Sequence, residues 1–203
     1  GDIASRRPST LGLDAENGAV QDAAKADDGE HSFLSDDEAS FILRQVPPRR
    51  VFVVGGVHIT QFLAPMARQA GYDVTIIDPR EVFSTAERFP GSACLTAWPD
   101  EAMEGLRPDA RTAVVTLTHD PKIDDPGLVE ALRSDAFYIG CLGSRRTHAA
   151  RCERLAEAGF SADDLARLHG PAGLDIGAKT PAEIAVSILA QMIDVERRRP
   201  AAS

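Results

Sequence analysis

Val51-Phe52-Val53-Val54 is a run of four apolar residues, followed at once by Gly55-Gly56 and by an apolar-periodic segment from Ile59. The run reads as a short buried strand, the glycine pair turns the chain, and the periodic segment reads as a helix. This tight strand–turn–helix joint constrains the fold more than any other stretch, because it is how a nucleotide-binding α/β unit opens. The turn departs from the dinucleotide fingerprint G-x-G-x-x-G. With the first glycine at 55, the pattern needs glycine at 57 and 60, where Val57 and Thr60 stand. A valine side chain there crowds a bound phosphate. The joint therefore announces a fold more firmly than a ligand.

Beyond it the chain alternates. Helix is expected over 59–70, stopped by Gly71 in a left-handed cap, with Pro65 inside it. Strand follows over 73–77, a loop or short helix over 81–90, strand over 93–95 and helix over 99–106. Strand is expected over 112–117, helix over 126–133 and strand over 136–139. Ser144 caps a helix running to Ala158, and Ser161-x-x-Asp164 opens a shorter helix over 162–169. After a loop at 170–179, Thr180-Pro181-Ala182-Glu183 opens the last helix with an N-cap, a proline at the first position and a reciprocal Glu. The alternation predicts an α/β fold: a three-layer Rossmann-like parallel sheet of about five strands in the order 3-2-1-4-5, spanning 48–197. Residues 198–203 are expected as a disordered tail.

Residues 1–47 differ in character. Of the net charge of −9, the segment 11–43 carries −8, with nine acids against Lys25 alone. It is read as an acidic linker, or as the tail of an upstream domain, with apolar docking points at Ser32-Phe33-Leu34 and Phe41-Ile42-Leu43. The start at Gly1, without Met, fits a fragment or a tag remnant. The remainder is nearly neutral, which disfavours a nucleic-acid role, since that needs a basic face. No apolar run approaches the roughly 18 residues of a membrane span. Cys94, Cys141 and Cys152 match no zinc spacing and are read as free thiols in a reducing cytoplasm.

Ligands of such sheets bind outside the strand carboxyl ends, at the switch point. That rule gathers the loops 55–58, 78–80, 118–120 and 140–146. Gly55 and Gly56 form the first turn. Asp78 ends the second strand, 23 residues after Gly55, where an acid can hold a ribose hydroxyl; the alternative is a turn Asp before Pro79. Arg80 is a candidate for a 2′-phosphate, or simply a solvated side chain. His58, at the start of the first helix, and His119-Asp120, ending the fourth strand, face one crevice; they are candidates for ligand binding or only helix-start and turn residues. Gly143-Ser144-Arg145-Arg146-Thr147-His148 places cations in the first turn of a helix, against its dipole. That arrangement makes sense if an anion such as a phosphate sits there; the alternative is an arginine pair reaching nearby acids. The loop Gly173-Leu174-Asp175-Ile176-Gly177-Ala178-Lys179 is placed to close over the crevice, presenting Asp175 and Lys179, or only to route the chain back.

The segments VVGGVHIT, TIIDPR, TLTHDPKIDDP, FYIGCLGSRRTHAARCERL and GLDIGAKTPAEIAVSI closely resemble the C-terminal Rossmann-like domain of the XdhC/CoxI family, the xanthine dehydrogenase accessory proteins. The resemblance covers roughly 48–195. It implies a cytoplasmic maturation factor rather than an enzyme: one that binds the molybdenum cofactor (molybdopterin), helps its sulfuration and delivers it to a molybdenum hydroxylase. The implied partners are that target enzyme, a sulfurase and a second copy in a homodimer. The anionic pterin phosphate and dithiolene fit the turn at 144–146. Two departures stand out. The family's first turn reads G-A-G-H where Gly55-Gly56-Val57-His58 stands, and its N-terminal domain is missing or reduced to the acidic segment. An NAD(P)-dependent oxidoreductase using Asp78 or Arg80, and an interaction module with a vestigial pocket, remain as other readings of the same residues.

Overall fold

A computed structural model describes residues 9–14, 19–21, 33–34 and 40–199. The chain divides into two compact units at Pro48/Arg49. In the first, strands β1 (Ser9–Asp14), β2 (Val20–Gln21), β3 (Phe33–Leu34) and β4 (Ser40–Gln45) form an antiparallel sheet in the order β2-β1-β4-β3. β1 and β4 pair along their full lengths, with Leu11 opposite Leu43. Of the two segments picked out as docking points, Phe33 and Leu34 form β3 and Phe41-Ile42-Leu43 lies in β4; Ser32 lies outside the described residues.

The second unit runs β5 (Arg49–Val54), α1 (His58–Gln69), β6 (Tyr72–Ile77), β7 (Ala93–Leu95), α2 (Pro99–Leu106), β8 (Thr112–Thr116) and α3 (Pro121–Arg133). It continues with β9 (Tyr138–Cys141), α4 (Arg145–Glu157), α5 (Ala162–Leu165), β10 (Leu168–His169) and α6 (Pro181–Arg198). Its sheet is wholly parallel, ordered β10-β9-β8-β5-β6-β7.

Successive side chains of a strand point to opposite faces, and the two cores separate accordingly. Val51 and Val53 of β5 join Leu63 of α1 and Ile188 and Met192 of α6 on one face. Phe52 and Val54 join Met103 of α2, Leu128 of α3 and Leu155 of α4 on the other. All of these side chains are buried.

Three expectations need correction. The sheet has six strands rather than five: the expected order 3-2-1-4-5 is present, and β10 is added beside β9. Leu168 and His169 are therefore strand, not the end of a helix, and α5 stops at Leu165. Finally, α3 starts at Pro121, five residues early, because Asp120 caps it by accepting from the Lys122 N–H at 3.0 Å. Pro126 lies inside that helix rather than opening it. The last helix reaches Arg198, and residues 200–203 of the expected tail lie outside the described residues.

Candidate functional site

The first turn is closed by the protein itself. The Gly55 N–H donates to Ile77 O at 2.8 Å, and the Gly56 N–H donates to Asp78 Oδ2 at 2.9 Å. A Cβ on Gly56 would run into the carbonyl of Phe83, so this glycine is required by the helical turn Glu81–Phe83 packed against it. Asp78 is wholly buried. Its Oδ1 accepts from Arg80 N (3.0 Å) and Nε (2.8 Å), and its Oδ2 from Arg80 Nη2 (2.8 Å) besides Gly56. Two donors on each oxygen fill a carboxylate's acceptor sites. Burial pushes this carboxyl up, but the Arg80 guanidinium and the two backbone N–H groups outweigh it and hold it below the usual range. Asp78, considered for a ribose, ties the first turn to the end of β6. Arg80 lies over the Phe83 ring, 4.2 Å from its centroid.

His58 is exposed, opens α1 without a side-chain cap, and stacks on Phe62 at 6.4 Å. His119 is also exposed and takes a left-handed φ of 64°, uncommon outside glycine. Its N–H donates to Asp124 Oδ2 at 3.1 Å, while Asp124 Oδ1 accepts from Thr118 Oγ1 at 2.6 Å. Asp120 acts as the cap of α3. His58 has its ring contact with Phe62 and His119 its bond to Asp124, and among the described residues no cluster of three or more His, Cys, Asp or Glu suits a metal.

At the start of α4, Gly143 and Arg145 share with Asp175 one cavity that Ser144 and Arg146 do not line. Ser144 caps the helix, accepting from the Thr147 N–H at 3.1 Å. Arg145 and Arg146 are exposed in a first turn that holds no acid. Arg154 clamps the helix onto α3 through Asp125, Nε to Oδ2 at 2.6 Å and Nη2 to Oδ1 at 3.1 Å. A cavity of about 440 Å³ opens beside this end, walled by Gly143 and Arg145 on one side and by the loop carrying Asp175 and Ile176 on the other. That is the size range of small-molecule sites, roughly 300–1,000 Å³.

The loop is pinned at its base. Ala172 N–H donates to Cys141 O at 2.9 Å, Gly173 N–H to Gln191 Oε1 at 2.8 Å, and Leu174 N–H to Ser187 O at 3.1 Å. Gly173 sits at φ +102°, where a Cβ would collide with the Ser187 hydroxyl. Lys179 is exposed and does not line the cavity; its N–H completes the cap of α6 through Glu183 at 2.7 Å. A larger concavity of about 730 Å³ lies between the end of α1 and residues 72–75 of β6, away from the strand carboxyl ends.

Beneath the rim lie Cys141 and His148, and beside them Arg151 and Asp124, which no local pattern singles out. Cys141 is fully buried, and burial pushes its thiol up to about 12 despite the nearby Arg151 charge, the behaviour of a packed core thiol. His148 is half-buried, its Nε2 3.6 Å from Cys152 Sγ. Burial, and then the Arg151 charge, hold its imidazole below the ordinary range. Arg151 is 2% exposed and donates from Nη2 to Leu142 O at 2.9 Å. Asp124 is equally buried; burial raises its carboxyl more than Thr118, Arg151 and His119 lower it. A helical Asp three positions past Pro121 and an Arg two turns past Ser144 look like surface residues until the fold places them.

The sequence matches the XdhC Rossmann domain over residues 51–192. It is 32% identical over 149 residues to the molybdenum cofactor insertion chaperone PaoD of Escherichia coli, covering 73% of this chain and 41% of that protein. It is 31% identical over 159 residues to a probable xanthine dehydrogenase subunit of Bacillus subtilis, covering 78% and 46%. Against the uncharacterized protein YqeB of Escherichia coli, identity is 32% over 155 residues, covering 74% and 28%. The chain thus spans less than half the length of these curated relatives. Its fold is similar to that of a crystal structure described as a xanthine dehydrogenase from Bacillus halodurans, with a TM-score of 0.73 and 23% identity over 99% of this chain and 63% of that one. With the match running from β5 into α6, the chain belongs to the XdhC Rossmann domain family.

Proposed function

We propose that this domain works in the maturation of a molybdenum hydroxylase, holding the molybdenum cofactor as cargo within a longer protein and releasing it to the target enzyme. The observation that carries the proposal is the start of α4: a capped, acid-free helix N-terminus with Arg145 and Arg146 beside a cavity of about 440 Å³, in a chain of this family. Free N–H groups at a helix start favour anions, and molybdopterin offers a phosphate and a dithiolene. Gly143, Ser144, Arg145, Arg146 and Asp175 would line the site, with His58 and His119 at its margin.

The names of the relatives point the same way, one being a cofactor insertion chaperone and another belonging to a xanthine dehydrogenase. Leu174 and Ile176, large apolar side chains exposed at 38% and 55%, give a target enzyme somewhere to dock at the cavity mouth. A sulfurase would act on the held cofactor, and the setting would be the cytoplasm. The nicotinamide reading is weakened by Asp78, whose acceptor sites are filled. The test is reconstitution: the longer protein should raise the activity of a cofactor-free molybdenum hydroxylase supplied with molybdopterin, and the Arg145→Ala/Arg146→Ala form should not. Equal activation by both forms would overturn the proposal.

A further inference from the structure

Arg151 lies on α4, seven residues past Ser144. Helical side chains lean toward their own N-terminus, which carries its guanidinium under the 142–144 turn. Nη2 holds Leu142 O, while Nε and Nη1 have no partner. Thr116 Oγ1, at the end of β8, is buried with the Cys141 thiol, its neighbour on the paired strand, beside it. Arg151 and Thr116 are joined through the backbone, since Leu142 N–H donates to Thr116 O at 2.9 Å. Asp124 is the carboxylate facing this guanidinium; its oxygens accept from Thr118 and His119, and no ion pair forms between the two. Cys141 and His148, the other groups facing Arg151, offer it no hydrogen bond. A buried cation with idle donors is costly unless something accepts from them.

We propose that Arg151 is the inner anchor of the anion site at the start of α4, receiving a tetrahedral oxyanion, such as a phosphate group of the ligand, on Nε and Nη1. This rests on the proposal that α4 begins an anion site, and it names the residue that gives that site its strength. Exposed cations such as Arg145 and Arg146 attract any anion and are screened by salt. A guanidinium fork in a dry setting instead matches two oxygens of one phosphate, with geometry that a point charge lacks. Thr116 Oγ1 supplies a further donor. The guanidinium is sealed in this structure, so entry requires the 142–144 turn to lift. Gly143, at φ +141°, is the residue able to absorb that change.

The test titrates the 203-residue chain with inorganic phosphate and with pyrophosphate, following amide spectra of residues 143–147. Saturable shifts are expected. Arg151→Gln should weaken binding by about 30-fold or more, and Arg151→Lys by about 10-fold, since lysine keeps the charge and loses the fork. Thr116→Val should cost about 5-fold. Should Arg151→Gln fail to fold, the lysine and valine variants carry the test. Wild-type affinity in Arg151→Lys, with Arg145→Ala/Arg146→Ala still weakening binding, would overturn the role of Arg151 and leave the outer anion site standing. No saturable shift in the wild type would overturn the inference, while retention of molybdopterin by the longer protein judges the parent proposal separately.

Discussion

The backbone N–H of Gly56 donates to the buried carboxylate of Asp78 at 2.9 Å, and the same carboxylate takes three further bonds from Arg80. The turn that in a dinucleotide fold cradles phosphate is here bound to the strand end beside it. Asp78→Asn puts an amide where four donors converge. It is expected to cost about 2–4 kcal/mol of unfolding free energy, read from urea titration. An unchanged midpoint would show that the carboxylate is not structural.

With Asp78 filled and Gly56 covered by Phe83, nicotinamide cofactors should not bind. Trp98 precedes α2 with its side chain half-exposed, a usable fluorophore. Titration with NADH and NADPH is expected to give no saturable change at micromolar concentrations. A saturable quench would restore the oxidoreductase reading.

One side chain is among the three anchors of the cavity loop. Gln191 Oε1 accepts from both the Gly173 N–H and the Tyr138 hydroxyl, at 2.8 and 2.7 Å. Gln191→Leu strips both donors of their acceptor and should cost about 1–3 kcal/mol. Hydrogen exchange should speed up at residues 172–176 more than in α4. Unchanged exchange there would mean that the loop is held elsewhere.

Stability should fall on acidification in two stages. Burial lowers His148 and His169 below the ordinary histidine value, so the folded state prefers them neutral. Their contribution is present above the unfolded value of about 6.5 and is lost as pH falls toward their folded values. Asp78, held low despite its burial, adds a second loss below about pH 4. Urea midpoints at pH 8, 6 and 5 should decline in that order, and His169→Phe should flatten the first stage. A flat profile from 8 to 5 would contradict the two histidines.

How much the sequence reveals depends on where each element gets its identity. The strands β5 to β8 are legible because their apolar runs and turns are local. β10 is not: Leu168 and His169 are strand only because they pair with Ile139 and Gly140, after a capping box that favours helix. The start of α3 was hidden by two prolines, 121 and 126, either of which suits a first turn. The spacing of Asp78 was legible, but its occupation by Gly56 and Arg80 is a property of the packed strand ends. The rule for parallel sheets pointed to the 140–146 loop, but not to the loop of Asp175, which the packed fold brings to the same cavity as Gly143 and Arg145; Arg151 and Asp124 emerge only from burial.

The most direct measurement is cofactor retention. The longer protein containing this domain would be purified without oxygen and its bound pterin released, oxidised and quantified by fluorescence. Close to one molybdopterin per chain is the result expected for the wild type, with most of it lost in Arg145→Ala/Arg146→Ala at unchanged thermal stability. Absence of pterin from the wild type, or equal retention by the folded double variant, would contradict the assignment of the α4 site.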